Sequence, residues 1–246
     1  MLSCCALDID YAVRRFRILP TGRLPFAGTT APLALQRDTG VPVTEIRLAG
    51  ARLRPMIVDT GDGASVTLSR AAWTGAGYRG ATISTTLGWG IGGPLVSEVA
   101  VLNGFTLGGA ALPETELRIE GDGGYSAAAG AAGRIGTGLL LRYRAPPEPR
   151  GGRMGQDPRA MAAAPVLRST SGLLLGAEGT HLRVLHVMRG SPAAETGWRE
   201  GETICAADGE PVAGRPIEWS AGTPGRTVAL TLCDGSARRL TLRKFY

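Results

Sequence analysis

The sequence predicts a mostly β protein in two folded parts, and three observations carry that expectation. The 246 residues include 37 glycines, which with frequent Val, Leu and Thr reads as short strands and tight turns rather than long helices. Apolar residues alternate with polar ones in the runs long enough to show a period. Composition also changes at "RAPPEPRGGRMGQDPRAMAAAP" (Arg144 to Pro165), a Pro-, Gly-, Arg- and Ala-rich stretch that reads as a linker. The expected boundaries are a tail over 1–30, a first domain over 31–145, a linker over 146–168 and a second domain over 169–246.

Bulk chemistry removes several function classes. The net charge is +6 and comes almost wholly from arginine, Lys244 being the single lysine. The arginines are scattered rather than gathered into a stripe, so no nucleic-acid partner is expected. Cys4, Cys5, Cys205 and Cys233 form no C-x-x-C pair, and His181 and His186 lie far from Cys4 and Cys5, so neither a metal nor another cofactor is expected. Cys205 in "ETICAAD" and Cys233 in "LTLCDG" read as buried thiols within strands. No run has the length of a membrane span, and "MLSCCALDIDYAVRRF" lacks the basic and apolar regions of a signal peptide.

In "VPVTEIRLAG", Thr44, Ile46 and Leu48 share one face of a predicted half-buried strand. Pro42 fits its start, and "RDTG" before it reads as a hairpin turn. The same Asp-Thr-Gly recurs in "MIVDTGDGAS", where Asp59 follows a short apolar strand and "SVTLS" reads as a returning one. A carboxylate at a buried strand end is costly unless hydrogen bonds hold it. Facing a second carboxylate, it could share a proton and activate water as a general base. Thr60 would brace such a loop, and Gly61 would let two loops approach closely.

With "GWGIGGPL" (Gly88 to Leu95) and "RIGTGLL" (Arg134 to Leu140), these residues resemble the bacterial branch of the retropepsin-like aspartic proteases over about Val41 to Tyr143. The resemblance implies an acid-protease β-barrel lobe with Asp59 catalytic, Thr60 and Gly61 supporting it, and Gly90, Ile91, Gly92 and Gly93 in a flap over substrate. "RIGTGLL" would open a short helix packed for structural reasons, with Arg134 standing where an apolar residue is expected. Asp62 and Gly63 also depart from the Ala or Ser that follows the family's catalytic glycine. "LDIDYAVRRFRILP" (Leu7 to Pro20) looks like the closing strand of a preceding lobe, so the second aspartate would come from another chain as a homodimer partner.

"LRVLHVMRGSPAAETGWREGETICAADGEPVAG" resembles a bacterial PDZ domain, a β-sandwich or partial barrel with short helices. Leu182, Val184, His186 and Met188 alternate along one predicted strand. The resemblance implies binding of peptide ends by an added strand, with Leu173, Leu174, Leu175 and Gly176 as the candidate loop and groove. The groove helix should follow Val212, where Pro216 and Gly222 shorten it. Two functions follow: an aspartic endopeptidase acting on peptide or protein substrate, or an inactive lobe with a PDZ domain serving as a peptide-binding scaffold. The compartment is open; the resemblance alone points to an exported, periplasmic protein.

Overall fold

The computed structural model describes residues 5–10, 13–20, 28–90, 92–144, 147–213 and 217–246. It is mostly β and divides into two compact units, one of residues 1–81 and 101–166, the other of 82–100 and 167–246. Ile91 of the expected flap and Pro216 of the expected groove segment lie outside the described residues.

The first unit begins with a hairpin of Ala6–Asp10 (β1) and Arg15–Leu19 (β2). Thr29–Pro32 (β3) and Ala34–Leu35 (β4) follow. The turn at Asp38-Thr39-Gly40 is closed by the Gly40 N–H donating to the Gln36 carbonyl at 2.8 Å, and it feeds Pro42–Leu48 (β5). Thr44, Ile46 and Leu48 are buried as the alternation requires. Ala51–Val58 (β6) pairs back onto β5, and Val66–Leu68 (β7) leads into the helix Arg70–Ala76 (α1). Ser69 caps that helix, its hydroxyl accepting the Ala72 N–H at 3.2 Å.

Ser84–Gly90 (β8) and Gly93–Leu102 (β9) form a hairpin placed mainly in the second unit. The first unit resumes with Phe105–Leu107 (β10), Ala110–Ala111 (β11), Thr115–Ile119 (β12), the turn of helix Tyr125–Ala128 (α2) and Gly133–Ile135 (β13). Its main sheet runs β11-β10-β5-β6-β13-β7-β12, with β4 beside β5. Within this order β13 enters between β6 and β7, parallel to the first and antiparallel to the second. Only a glycine fits at position 133, because a Cβ there would stand 2.1 Å from the Thr67 carbonyl oxygen.

Among the described residues the expected barrel is not closed. Closure needs ladder bonds between end strands, and the end strand β11 has two residues and pairs with β10. The core is built from Ile46, Leu48, Met56, Leu68, Leu117 and Ile135, all buried.

After the helix Thr137–Leu140 (α3), where Leu139 and Leu140 are buried, the predicted linker is folded. Tyr143–Arg144 (β14), Pro147–Glu148 (β15) and Arg153–Pro158 (β16) make a small sheet, with β3 also paired to β16. The prolines are tolerated because Pro147 opens its strand and Pro158 closes its own. Glu148, Met154 and Gln156 are buried in this sheet.

The second unit has the sheet order β17-β18-β19-β21-β22, with β20 beside β19. Its strands are Leu173–Glu178 (β17), His181–Val187 (β18), Thr203–Ala207 (β19), Glu210–Pro211 (β20), Thr227–Leu232 (β21) and Ala237–Thr241 (β22). Pro192–Glu195 (α4) follows β18, capped by Ser191. Leu173, Leu182, Val184, Trp198, Ile204 and Leu240 belong to one buried cluster. Cys205 and Cys233 form a disulfide with Cα atoms 5.0 Å apart, correcting the reading of two thiols. Cys205 sits at a register shift between Ile204 and Ala206, which turns it toward the end of β21.

Candidate functional sites

Asp59 stands directly after β6. Its N–H donates to the Ile135 carbonyl at 2.9 Å, and its Oδ1 accepts the Gly61 N–H at 2.9 Å. Asp62 closes the loop, with Oδ1 accepting the Ala64 N–H at 3.0 Å and Oδ2 the Thr67 hydroxyl at 2.9 Å. Thr137 at the start of α3 gives both its N–H and its hydroxyl to the Asp62 carbonyl, at 2.7 and 2.9 Å. The loop is thus braced by the "RIGTGLL" segment, and Thr137 rather than Thr60 supplies the bracing hydroxyl.

The decisive neighbour is Arg134. With Gly133 and Ile135 turned into the core, the β13 alternation sends Arg134 to the other face, beside the Asp59 loop. Its guanidinium lies 3.5 Å from Asp59, 3.4 Å from Asp62 and 3.0 Å from Glu120. It also covers the Tyr125 ring at 5.2 Å. Glu120 in turn accepts the Ser126 N–H at 3.0 Å. Asp59 is therefore one of three carboxylates gathered around a fixed cation. A proton shared between two carboxylates requires the opposite environment, in which like charges face each other without a counter-ion.

The glycine-rich hairpin ends at Gly90, with Gly92 in the turn and Gly93 opening β9 at φ 99°. Its tip exposes Trp89, Leu95 and Val96. Its base is held within the second unit. The Ser84 hydroxyl donates to the Arg189 carbonyl at 2.7 Å, the Arg189 N–H donates to Thr85 Oγ1 at 3.0 Å, and the Arg189 side chain reaches Glu98 at 2.8 Å. His186, a buried residue of β18, has Nε2 2.8 Å from Thr85 Oγ1 and Nδ1 2.7 Å from Glu200. A carboxylate only accepts, so Nδ1–H donates to Glu200, and Nε2 is hydrogen-bonded to the Thr85 hydroxyl. The Thr85 oxygen thus joins the Arg189 N–H and the His186 ring, which makes the arrangement a clamp on the hairpin.

Leu173, Leu174, Leu175 and Gly176 lie in strand β17 rather than in a loop, paired to β18 with a register shift between Leu174 and Leu175. Leu173 is buried and the other three are half-buried. Where a groove helix is expected, the described residues form a single 3₁₀ turn, Glu218–Ala221, whose Trp219 packs with Leu175 and Ile217 against the core. A cavity of about 290 Å³ opens beside it, lined by Leu182, Asp208, Val212, Glu218, Trp219 and Arg226, among others.

Sequence reasoning missed Arg134, the His186 clamp and the serines before β17. Arg134 carried a signal, a charge at a position read as apolar. The His186 clamp carried none, because its partners are remote in sequence; the serines carried a local one, a hydroxyl two or three residues before the amide it caps.

No family model matches the chain, and no curated protein does. Among solved structures it is similar to HtrA-type protease AlgW with a tripeptide, at 15% identity and TM-score 0.27, covering 98% of this chain and 93% of that one. The same protease with a decapeptide matches at 15% identity and TM-score 0.27, covering 98% and 96%. At such a score no residue role passes from one chain to the other. The aspartic endopeptidase expectation is corrected: the matched structures are HtrA-type rather than aspartic proteases, and Asp59 is held in an ion-pair cluster with Arg134. The second lobe from another chain, which only that mechanism required, falls with it.

Proposed function

We propose that the second unit is a peptide-binding module that takes an extended segment as an added strand along β17. The observation that carries this reading is the position of β17 at the end of the sheet order, with β18 its one partner among the described residues. An edge strand offers alternate N–H and C=O groups at strand spacing, the template that strand addition uses. Leu174, Leu175 and Gly176 are half-buried there, so an added strand would cover apolar surface. The 3₁₀ turn is tied to the entry of β17, since the Thr170 and Ser171 N–H groups both donate to the Ser220 carbonyl. It would form the opposite wall, with Trp219 packed beside Leu175. The PDZ resemblance of the sequence supports the same reading.

The test is selection of random heptapeptides on the immobilised full chain, followed by affinity measurement. Binding with dissociation constants of about micromolar order is expected, weakened about tenfold by Leu174→Asp, which sets a charge on the docking strand. Failure of every selected peptide to bind the chain in solution would remove the reading.

A further inference from the structure

We infer that the peptide taken by the second unit is an internal stretch of chain rather than a C-terminal end. The inference rests on the peptide-binding reading and names its ligand class. A strand-adding site that captures chain ends needs consecutive backbone N–H groups converging on the terminal carboxylate where the edge strand begins. In this protein that place is residues 169–173, and each of its five amides is bonded within the chain. The Ser169 N–H donates to the Tyr246 hydroxyl at 3.3 Å. Those of Thr170 and Ser171 donate to the Ser220 carbonyl at 3.1 and 3.0 Å. The Gly172 N–H donates to Ser169 Oγ at 2.9 Å, and the Leu173 N–H to Ser171 Oγ at 3.1 Å.

The two serines do for Gly172 and Leu173 what a carboxylate would do. Each sets an acceptor oxygen on one of two consecutive amides, and the two oxygens stand 3.4 Å apart. Ser171 is wholly buried. Behind Gly172 the space is closed as well, because a Cβ at that residue would stand 2.0 Å from the Ser191 Cβ. A terminal carboxylate arriving here would have to break these bonds and leave hydroxyls unsatisfied, and it would surrender its own hydration for no free donor. An internal segment has no such requirement. It needs only the outward-facing groups of β17, and brings no terminal charge to bury.

The experiment uses two displayed heptapeptide libraries against the full chain, one ending in a free C-terminus and one continued at both ends into carrier sequence. Selected peptides are then synthesised as C-terminal acids and amides. We expect enrichment from the internal library and acid and amide affinities within about twofold of each other. Binding about tenfold tighter for the acids, or enrichment from the free-end library alone, overturns this inference and leaves the peptide-binding reading standing. Enrichment from neither library sinks both. Ser169→Ala combined with Ser171→Ala uncaps the Gly172 and Leu173 amides, and should raise the acid preference to about fivefold or more. An unchanged ratio in a variant that melts like the parent overturns the role given to the serines. If the variant does not fold, the acid-to-amide ratio of the parent chain decides alone.

Discussion

Arg134 decides the character of the Asp59 loop. Asp59, Asp62 and Glu120 bring three negative charges to one guanidinium, and Glu120 and Asp62 are nearly buried, with side chains 6% and 9% exposed. Removing the cation leaves those carboxylates to repel one another, so Arg134→Met should destabilise the chain by about 2–4 kcal/mol, read as a lowered urea midpoint. A lysine there is a compact point charge without the spread of the guanidinium N–H groups, and Arg134→Lys should recover only part of the loss. Asp8 in β1 is a second such residue. The Arg144 guanidinium hydrogen-bonded to it, helped by Arg17 and opposed by burial, lowers its pKa from 3.8 to about 2. A depressed carboxylate stabilises the fold above its unfolded pKa and loses that contribution as pH falls through the folded value. Acid titration of stability should therefore show a fall between about pH 4 and pH 2 that Asp8→Asn abolishes. The sequence marked Asp59 as the end of a strand, but its neighbour on β13 is remote in the chain and became a neighbour only through strand order.

At the scale of elements, alternation was a reliable guide. It placed Thr44, Ile46 and Leu48 on the buried face of β5, and put His186 on the same face as Leu182 and Val184 in β18. It misled where composition was used in its place: the Pro- and Gly-rich stretch read as a linker forms β15 and β16, because a proline at a strand end costs no ladder bond. The entry to β17 depends on a left-handed glycine, Gly172 at φ 79°, packed against Ser191. Gly172→Ala combines a strained backbone with a clash and should cost about 2 kcal/mol or more, visible as a lowered melting temperature. The clamp on the β8–β9 hairpin is testable separately. His186→Ala removes a hydrogen-bond partner of the Thr85 hydroxyl, so amide exchange over 84–87 should quicken about tenfold, while exchange in the β21–β22 pair stays unchanged.

Among the described residues each of the two units has its own buried residues. In the second, the disulfide closes a sequence separation of 28 residues. A loop of that length is worth about 3–4 kcal/mol in the chain-entropy account. Reduction, or Cys205→Ala with Cys233→Ala, should lower protection against amide exchange through β17 to β22 and leave that of the β5–β6 pair unchanged. The compact units of this chain are not contiguous in sequence: β8 and most of β9 belong with residues 167–246.

The sequence by itself determined the mostly β class, the strand faces and the turn at Asp38 to Gly40, because each depends on local periodicity or on a turn residue's own conformational freedom. Only the tertiary structure decided what the chemistry-bearing groups meet. Which strand inserts beside Asp59 and which cysteines join are consequences of long-range pairing. A carboxylate, an amide or a thiol has no fixed role until the fold supplies its partner.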